Sequence, residues 1–304
     1  MQFRIRSIPT LLWLALKKFL GDGGPGMAGA LSFATVFSLP ALLALLLMTV
    51  GKVMDPDTVQ EAIIGQVRRL IGRDGAQQIS GIISKARDSD INPSLTAILG
   101  LVTVLFGSTA AFASLQTSLN KTWNVKPDPK RGEIRNFLAK RVFSFGVVMV
   151  VAFLLLVSLS VSALLGALAG RTAHLEGIAG MAMIAANFLF SIAVVTTLFA
   201  AMFKLLPDAD VAWRDVWVGA LFTTILFAGG KELIGFYLGS SNPGSAYGAA
   251  GSLVLVLLWI YYSSWIVLYG AELTRFWADM FGRGVRPERG AIEYVEQEKT
   301  VAAG

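Results

Sequence analysis

A lysine and a glutamate stand side by side inside an otherwise apolar stretch, Phe227-Ala228-Gly229-Gly230-Lys231-Glu232-Leu233-Ile234-Gly235. Charge placed in hydrocarbon costs several kcal/mol, so ionisable side chains there mark a point where a polar ligand or anionic headgroup would be held. On a helix the sixteen residues from Asp215 to Lys231 rise about 24 Å, which sets the lysine nearer the far interface of a bilayer than its midplane. Adjacent residues on a helix point apart, so Lys231 and Glu232 are not expected to pair with each other. Two readings stand: a lysine that snorkels to the interface beside a local interhelical bond, or one that meets a polar substrate or lipid headgroup.

Ser32, Thr35 and Ser38 recur at three-residue spacing and lead into Pro40, in the middle of an apolar run. Proline removes a backbone hydrogen bond, and nearby hydroxyls or water can satisfy the freed carbonyl. With Ala28, Gly29, Ala30 and Ala34 beside it, this stripe would either line a cavity or pack closely on another helix. Asn187 and Ser191, four residues apart, face one direction and suit a ligand contact or an interhelical hydrogen bond. Glu272 precedes Arg275 by three residues, the spacing of a local ion pair. Trp259, Tyr261, Tyr262, Trp265 and Tyr269 spread over roughly 15 Å of helix, too far for one interfacial belt. Some of these rings must therefore face other helices, where hydroxyl and indole groups need partners.

Much chemistry is excluded. The chain has no cysteine, which removes disulfides, thiolate nucleophiles and thiolate metal sites. His174 is its single histidine, so no metal role is expected for it. There is no GxxxxGK[ST] phosphate loop, and the polar segments offer no convincing nucleophile–base pair. Enzymatic activity, cofactors and metals are accordingly not expected.

The elements that must carry these residues follow from composition. Of 304 residues 55% are hydrophobic and 15% charged, against about 25% charged in a soluble domain, so too few charges exist to wet the surface. About 20 apolar residues of helix cross a bilayer core, and six segments qualify: 28–51, 94–116, 142–168, 178–204, 215–238 and 248–274. No strand-like alternation competes, which predicts an all-α, polytopic membrane protein. Residues 1–27 read as an interfacial helix and a breaker, Gly21-Asp22-Gly23-Gly24-Pro25-Gly26. Lys17 and Lys18 interrupt the apolar run, and no small-residue cleavage site follows, which argues against a signal peptide. The membrane domain, 28–274, includes an outer excursion, 52–93, whose apolar positions predict two amphipathic helices that form a packed cap or a lipid-handling element. The tail, 275–304, is expected to fray beyond 283 or to form a short exposed helix.

Charge sets the orientation. With six spans, the segments 1–27, 117–141, 204–214 and 275–304 share one side and hold 18 of the 26 basic residues, while 52–93 and 169–177 hold seven. The positive-inside rule then places both termini in the cytoplasm. The formal net charge of +6 reads as topology, with anionic inner-leaflet lipid as counter-charge, rather than as affinity for nucleic acid. Gly166-xxx-Gly170 and Gly235-xxx-Gly239 are candidate sites of close helix packing.

Three stretches together resemble the YihY/BrkB family of bacterial inner-membrane proteins. The first runs from Ala30 to Pro40, Ala-Leu-Ser-Phe-Ala-Thr-Val-Phe-Ser-Leu-Pro; the second is Leu119-Asn120-Lys121-Thr122-Trp123 at the end of the second span. The third combines Lys231, Tyr237, Ala246-Tyr247-Gly248, Leu257-Leu258-Trp259-Ile260-Tyr261 and Tyr269-Gly270-Ala271-Glu272-Leu273. The resemblance covers approximately residues 10–280 and implies six spans in the inner membrane. It brings two labels, a misapplied ribonuclease name and a virulence-factor name, and no established catalytic residues. Hydrolytic RNA cleavage needs a metal-binding carboxylate/His cluster or an acid–base pair, and Asp128, Glu133, Asp208 and Asp210 do not supply one, so nuclease activity is only a remote alternative.

The expected function is transporter-like handling of lipid or of an envelope-related anionic substrate. The residues chosen to carry it are Lys231, Glu232, Ser32, Thr35, Ser38, Pro40, Asn187 and Tyr237. Asn120, Trp123, Tyr247, Gly248, Trp259 and Glu272 are assigned to holding helix ends. Membrane lipids are the expected partners, with envelope proteins or further copies of this chain as candidates. A non-transporting, virulence-associated envelope scaffold is the alternative, in which 52–93 and the tail would bind proteins.

Overall fold

The long apolar runs form helices in the computed structural model of the chain, which describes residues 8–50, 110–128, 178–241 and 251–294, with isolated positions between 55 and 84. In order these are α1 (Ile8–Gly21), α2 (Gly24–Val50), α3 (110–122), β1 (Val125–Pro127), α4 (Ile178–Leu205), β2 (Ala209–Asp210), α5 (Trp213–Ser241), α6 (Gly251–Phe281), β3 (Arg286–Pro287) and β4 (Ala291–Glu293). Among the described residues, three helices are long and apolar enough to cross a membrane, at Phe188–Leu205, Trp213–Ile234 and Leu253–Phe281. They coincide with the last three expected spans. The first expected span falls on α2, the end of the second on α3, and the third, 142–168, lies outside the described residues. Within 52–93 the described positions 57–58, 60–61, 64–65, 76–77, 80–81 and 84 are helical, Asp55 is described and not helical, and the rest of that excursion lies outside the described residues.

Two compact units make up the chain. One comprises Met1–Phe19, Gln116–Thr224 and Tyr269–Gly304; the other comprises Leu20–Leu115 and Ile225–Leu268.

In the first unit, α1 starts on Ile8-Pro9, where a proline lacking its N–H loses no intrahelical bond. It buries Leu11, Ala15 and Phe19 at four-residue spacing and leaves Trp13 and Leu14 exposed. The Tyr269 hydroxyl donates to the Leu12 carbonyl at 3.0 Å, and the Phe19 and Tyr269 rings meet edge to face at 6.2 Å. Tyr269 is thus one ring of the aromatic series whose hydroxyl is partnered within the protein.

The packing of α5 on α6 in this unit rests on a reciprocal pair of small residues. Gly219 lies against Thr274 and Gly270 against Thr223; a Cβ at Gly219 would stand 2.8 Å from Thr274 Cα, and one at Gly270 would stand 2.8 Å from Thr223 Cβ. Each threonine hydroxyl donates to its own helix, Thr223 to Gly219 O and Thr274 to Gly270 O, both at 2.8 Å. The polar atoms are therefore satisfied in a medium without water, and the threonines fill the grooves the glycines leave. The helix α4 joins α5 through Thr196, whose hydroxyl lies 3.0 Å from that of Thr224.

The all-helical expectation needs correction here. The strands β1 and β4 pair antiparallel, as do β2 and β3. Over 286–293 the expected fraying or short helix is corrected with it, because these residues supply both partner strands; 295–304 lie outside the described residues. Strands of two or three residues are too short for alternation to register in the sequence. Gly284, at φ 73°, ends α6 with its N–H returned to the Ala278 carbonyl at 2.9 Å.

In the second unit, the breaker ends in Gly23 at φ 74°, from which α2 departs. Its backbone stays helical through Pro40. Phe33 and Phe37 face outward with ring centroids 4.6 Å apart, as a lipid-facing surface would have them. Gly29 lies against the Tyr261 ring, and Gly230 lies directly under the Tyr262 hydroxyl, so α2 and α5 approach α6 through glycines.

Candidate functional site

The charged pair of α5 belongs to the second unit. Lys231 Nζ lies 3.7 Å from Glu232 Oε1, which corrects the expectation that these neighbours do not meet. The Cα–Cβ bonds do diverge, but the long lysine stem and the glutamate arm can curl along the helix surface until their ends approach. The distance exceeds the 2.7–2.9 Å usual for a strong charge-assisted hydrogen bond. The lysine is 42% exposed and the glutamate 80%, so both charges face outward from the helix.

On α2, in the same unit, Ser32 is fully buried, and its hydroxyl has no hydrogen-bond partner among the described residues. Thr35 donates to the Leu31 carbonyl at 2.7 Å. Ser38 and Pro40 on α2 and Tyr237 on α5 are helical in backbone, and their side chains lie outside the described residues. The same holds for Asn187, which sits on α4 in the other unit; Ser191 there is exposed. The expected substrate set is therefore divided between units. Lys231, Glu232, Ser32 and Thr35 share one of them.

The helix-end residues give a more closely connected cluster, in the first unit. Asn120 closes a two-way bond with Asp208: its amide donates to Asp208 Oδ2 at 2.8 Å, and its carbonyl accepts the Asp208 backbone N–H at 2.8 Å. Both residues are buried. Trp123, one helical turn further, buries its ring and donates its indole N–H to the Ala271 carbonyl at 3.2 Å. Arg275 returns the contact, donating to the Thr122 carbonyl at 2.9 Å. Glu272, 1% exposed, lies 3.7 Å from Arg275, and Asp279 lies 3.6 Å from it on the other side. The end of α3 is thus tied to α6 by two side-chain-to-backbone bonds and to the chain before β2 by the asparagine. Trp259 lies in the second unit, 6.4 Å from the Tyr262 ring; Tyr247 and Gly248 lie outside the described residues.

Lys204 closes the loop between α4 and α5, donating to Asp210 Oδ1 at 2.6 Å and to the Val211 carbonyl at 2.7 Å. This hydrogen bond and the lysine charge, with Arg286 adding to them, hold the Asp210 carboxyl below its ordinary value of 3.8. A carboxylate with a depressed folded value stabilises the fold above its unfolded value and loses that contribution as pH falls through the folded one. Because the group is mostly exposed, the effect is small. Thermal unfolding of the detergent-solubilised protein is expected to show an acid-side loss that is shallower in Asp210→Asn.

The Glu272–Arg275 pair forms as the spacing suggests, at 3.7 Å, whereas the Asp208 bond to Asn120, the Arg275 bond to the Thr122 carbonyl and the two glycine–threonine pairs have no signal in the sequence reading. Asn120 and Trp123, three apart on one helix face, were the available signal that this face meets a partner.

The family model for virulence factor BrkB matches residues 15–291. The chain belongs to the BrkB family. As a BrkB-family chain it is 30% identical over 281 residues to a UPF0761 membrane protein of Azotobacter vinelandii, covering 89% of this chain and 64% of that protein. It is 29% identical over 269 residues to a UPF0761 membrane protein of Pseudomonas paraeruginosa, covering 84% and 60%. A relative in Ralstonia nicotianae with the same description is 28% identical over 285 residues, covering 90% and 59%. The chain thus spans about three fifths of the length of the curated relatives it matches. No solved structure matches it. Membership of the BrkB family and the apolar helices together make this an integral membrane protein.

Proposed function

We propose that this BrkB-family protein is a six-span, inner-membrane protein with both termini in the cytoplasm, and that it handles an anionic lipid or another anionic envelope substrate. The observation that carries the reading is Lys231: an outward-facing ammonium on a membrane-length apolar helix, with Glu232 at 3.7 Å as its one ion-pair partner among the described residues. At that separation the lysine keeps donors to offer, and in a low dielectric an anionic headgroup would satisfy them better than lipid tails. The buried Ser32 hydroxyl and the outward aromatic face of α2, in the same unit, suit a helix that borders such a substrate. Basic residues concentrated on one set of polar segments support the orientation.

The test uses the absence of cysteine, which makes every introduced thiol a unique probe. His174→Cys is expected to react with an impermeant maleimide in intact cells, and Glu296→Cys only after permeabilisation. Protein purified in native-lipid discs is expected to retain anionic lipid above the bulk fraction, and Lys231→Gln to lose about tenfold of that enrichment, the worth of one charge-assisted contact. Equal lipid retention by both proteins, or the reversed labelling pattern, rejects the reading.

A further inference from the structure

Beside the Asn120–Asp208 bond, the first unit opens a groove of about 320 Å³, near the lower end of volumes that hold small molecules. The last two turns of α3 supply Gln116, Thr117 and Lys121 to its wall, β1 supplies Lys126, and the residue after β4 supplies Tyr294. We propose that this groove binds a phosphate group, carried either by a lipid headgroup or by a soluble phosphate compound.

Two features favour that chemistry, the donors of the lining and the preorganised wall. Its lining is rich in donor-bearing side chains, two lysines, a glutamine, a threonine and a tyrosine, and a lysine ammonium has three N–H bonds to share between a protein partner and an anion. Asp208 is the one carboxylate among the lining residues; it is held in the floor by the Asn120 amide and by its own N–H on the asparagine carbonyl, and the two lysines outnumber its charge. The walls are also preorganised. Lys126 Nζ sits 4.9 Å over the Tyr294 ring, a cation–π arrangement that restrains the long side chain at the groove. Tyr294 in turn donates its backbone N–H to the Asn124 carbonyl at 2.7 Å, continuing the β1–β4 pairing. The groove stands at the C-terminal end of α3, whose dipole opposes an anion; Arg275 satisfies the Thr122 carbonyl at that pole but is itself flanked by Glu272 and Asp279, so the attraction falls to the two lysines of the lining.

This site lies in a different unit from Lys231 and stands on different residues, so the two proposals fail separately. The full chain in phosphatidylcholine nanodiscs is titrated with inorganic phosphate, and in parallel the chain is captured in discs containing a minority of phosphatidic acid and its retained lipid is measured. Saturable binding of at least one probe is expected, weakened about tenfold in Lys121→Gln and in Lys126→Gln, and largely kept in Lys126→Arg. Inorganic phosphate binding identifies a soluble source; retention of phosphatidic acid alone identifies a headgroup. Raised salt is expected to weaken either. Both glutamine variants should stay folded and melt within a few degrees of wild type, since neither lysine is buried and each loses at most a surface contact. The proposal is overturned if neither probe saturates, if the double variant K121Q/K126Q binds like wild type, or if K231Q abolishes binding that K121Q/K126Q retains.

Discussion

Asn120→Ala is expected to destabilise the protein by about 3 kcal/mol, because it removes two buried bonds at once and leaves a carboxylate and an N–H behind. One of the lost bonds has a charged acceptor, which accounts for the larger share; the orphaned Asp208 N–H accounts for the rest. Asp208→Asn separates the two. It keeps the side-chain volume and the backbone bond, and it removes only the charge, so a loss of about 1 kcal/mol is expected. Asn120→Asp should be worse than alanine, since it sets a second carboxylate against Asp208 and removes the donor. Denaturant unfolding in a fixed detergent, followed by tryptophan fluorescence, would report the change directly, because Trp123 is buried one turn from Asn120. A double-mutant cycle on Asn120 and Asp208 should give a coupling of about 2 kcal/mol. Independent, additive losses would show that the bond contributes nothing beyond its parts.

What could be read from the sequence divides along physical lines. Helices of some 20 apolar residues announce themselves, because the bilayer demands length and hydrophobicity together, and α4, α5 and α6 fall where those demands placed them. The break between α1 and α2 falls inside the Gly21–Gly26 run but is confined to Asp22 and Gly23, because Gly24-Pro25-Gly26 already form the first turn of α2, where proline needs no N–H partner. The strands were not legible. Each of β1 to β4 has two or three residues, and its partner is chosen by where α3 and α6 end, which is a tertiary fact. The pairing of Lys231 with Glu232 was missed because a rule about Cβ directions says little about the ends of long side chains.

Asn120 and Asp208 show the same limit for the candidate site. They are 88 residues apart in the chain, so only folding makes them neighbours. Trp123 could be recognised as a helix-end residue, but its acceptor is a backbone carbonyl, Ala271 O, which carries no side-chain signature. Glycine spaced four from glycine is the pattern of close packing that a sequence displays, at Gly166-xxx-Gly170 and Gly235-xxx-Gly239. The observed motif is glycine spaced four from threonine, on each of two helices, and it works because the threonine hydroxyl bonds back to its own helix while its bulk faces the partner glycine.

That arrangement yields the second large effect, Gly219→Ala. A single methyl group is expected to cost about 3 kcal/mol or more, the upper end of overpacking losses, because relief requires moving the backbone. The added Cβ would stand 2.6 Å from Thr274 Cβ and 2.8 Å from Thr274 Cα, and neither atom can rotate away. For the same reason Thr274→Ala should fail to rescue Gly219→Ala: truncation removes the hydroxyl and methyl but leaves Cα and Cβ in place. Gly270→Ala should behave alike on the other side, where the new atom would meet Thr223 Cβ at 2.8 Å. Thr223→Val preserves shape and removes a hydroxyl that bonds back to its own helix, so it should cost less than about 1 kcal/mol. Gly229→Ala is the control on α5, since a Cβ there meets nothing within 4 Å. Helix propensity alone predicts that it is neutral or stabilises by up to about 1 kcal/mol. Melting temperatures in one detergent that rank Gly219→Ala far below Gly229→Ala would support close α5–α6 approach as the constraint; equal values would mean the helices separate easily there, and the glycines answer to nothing but propensity.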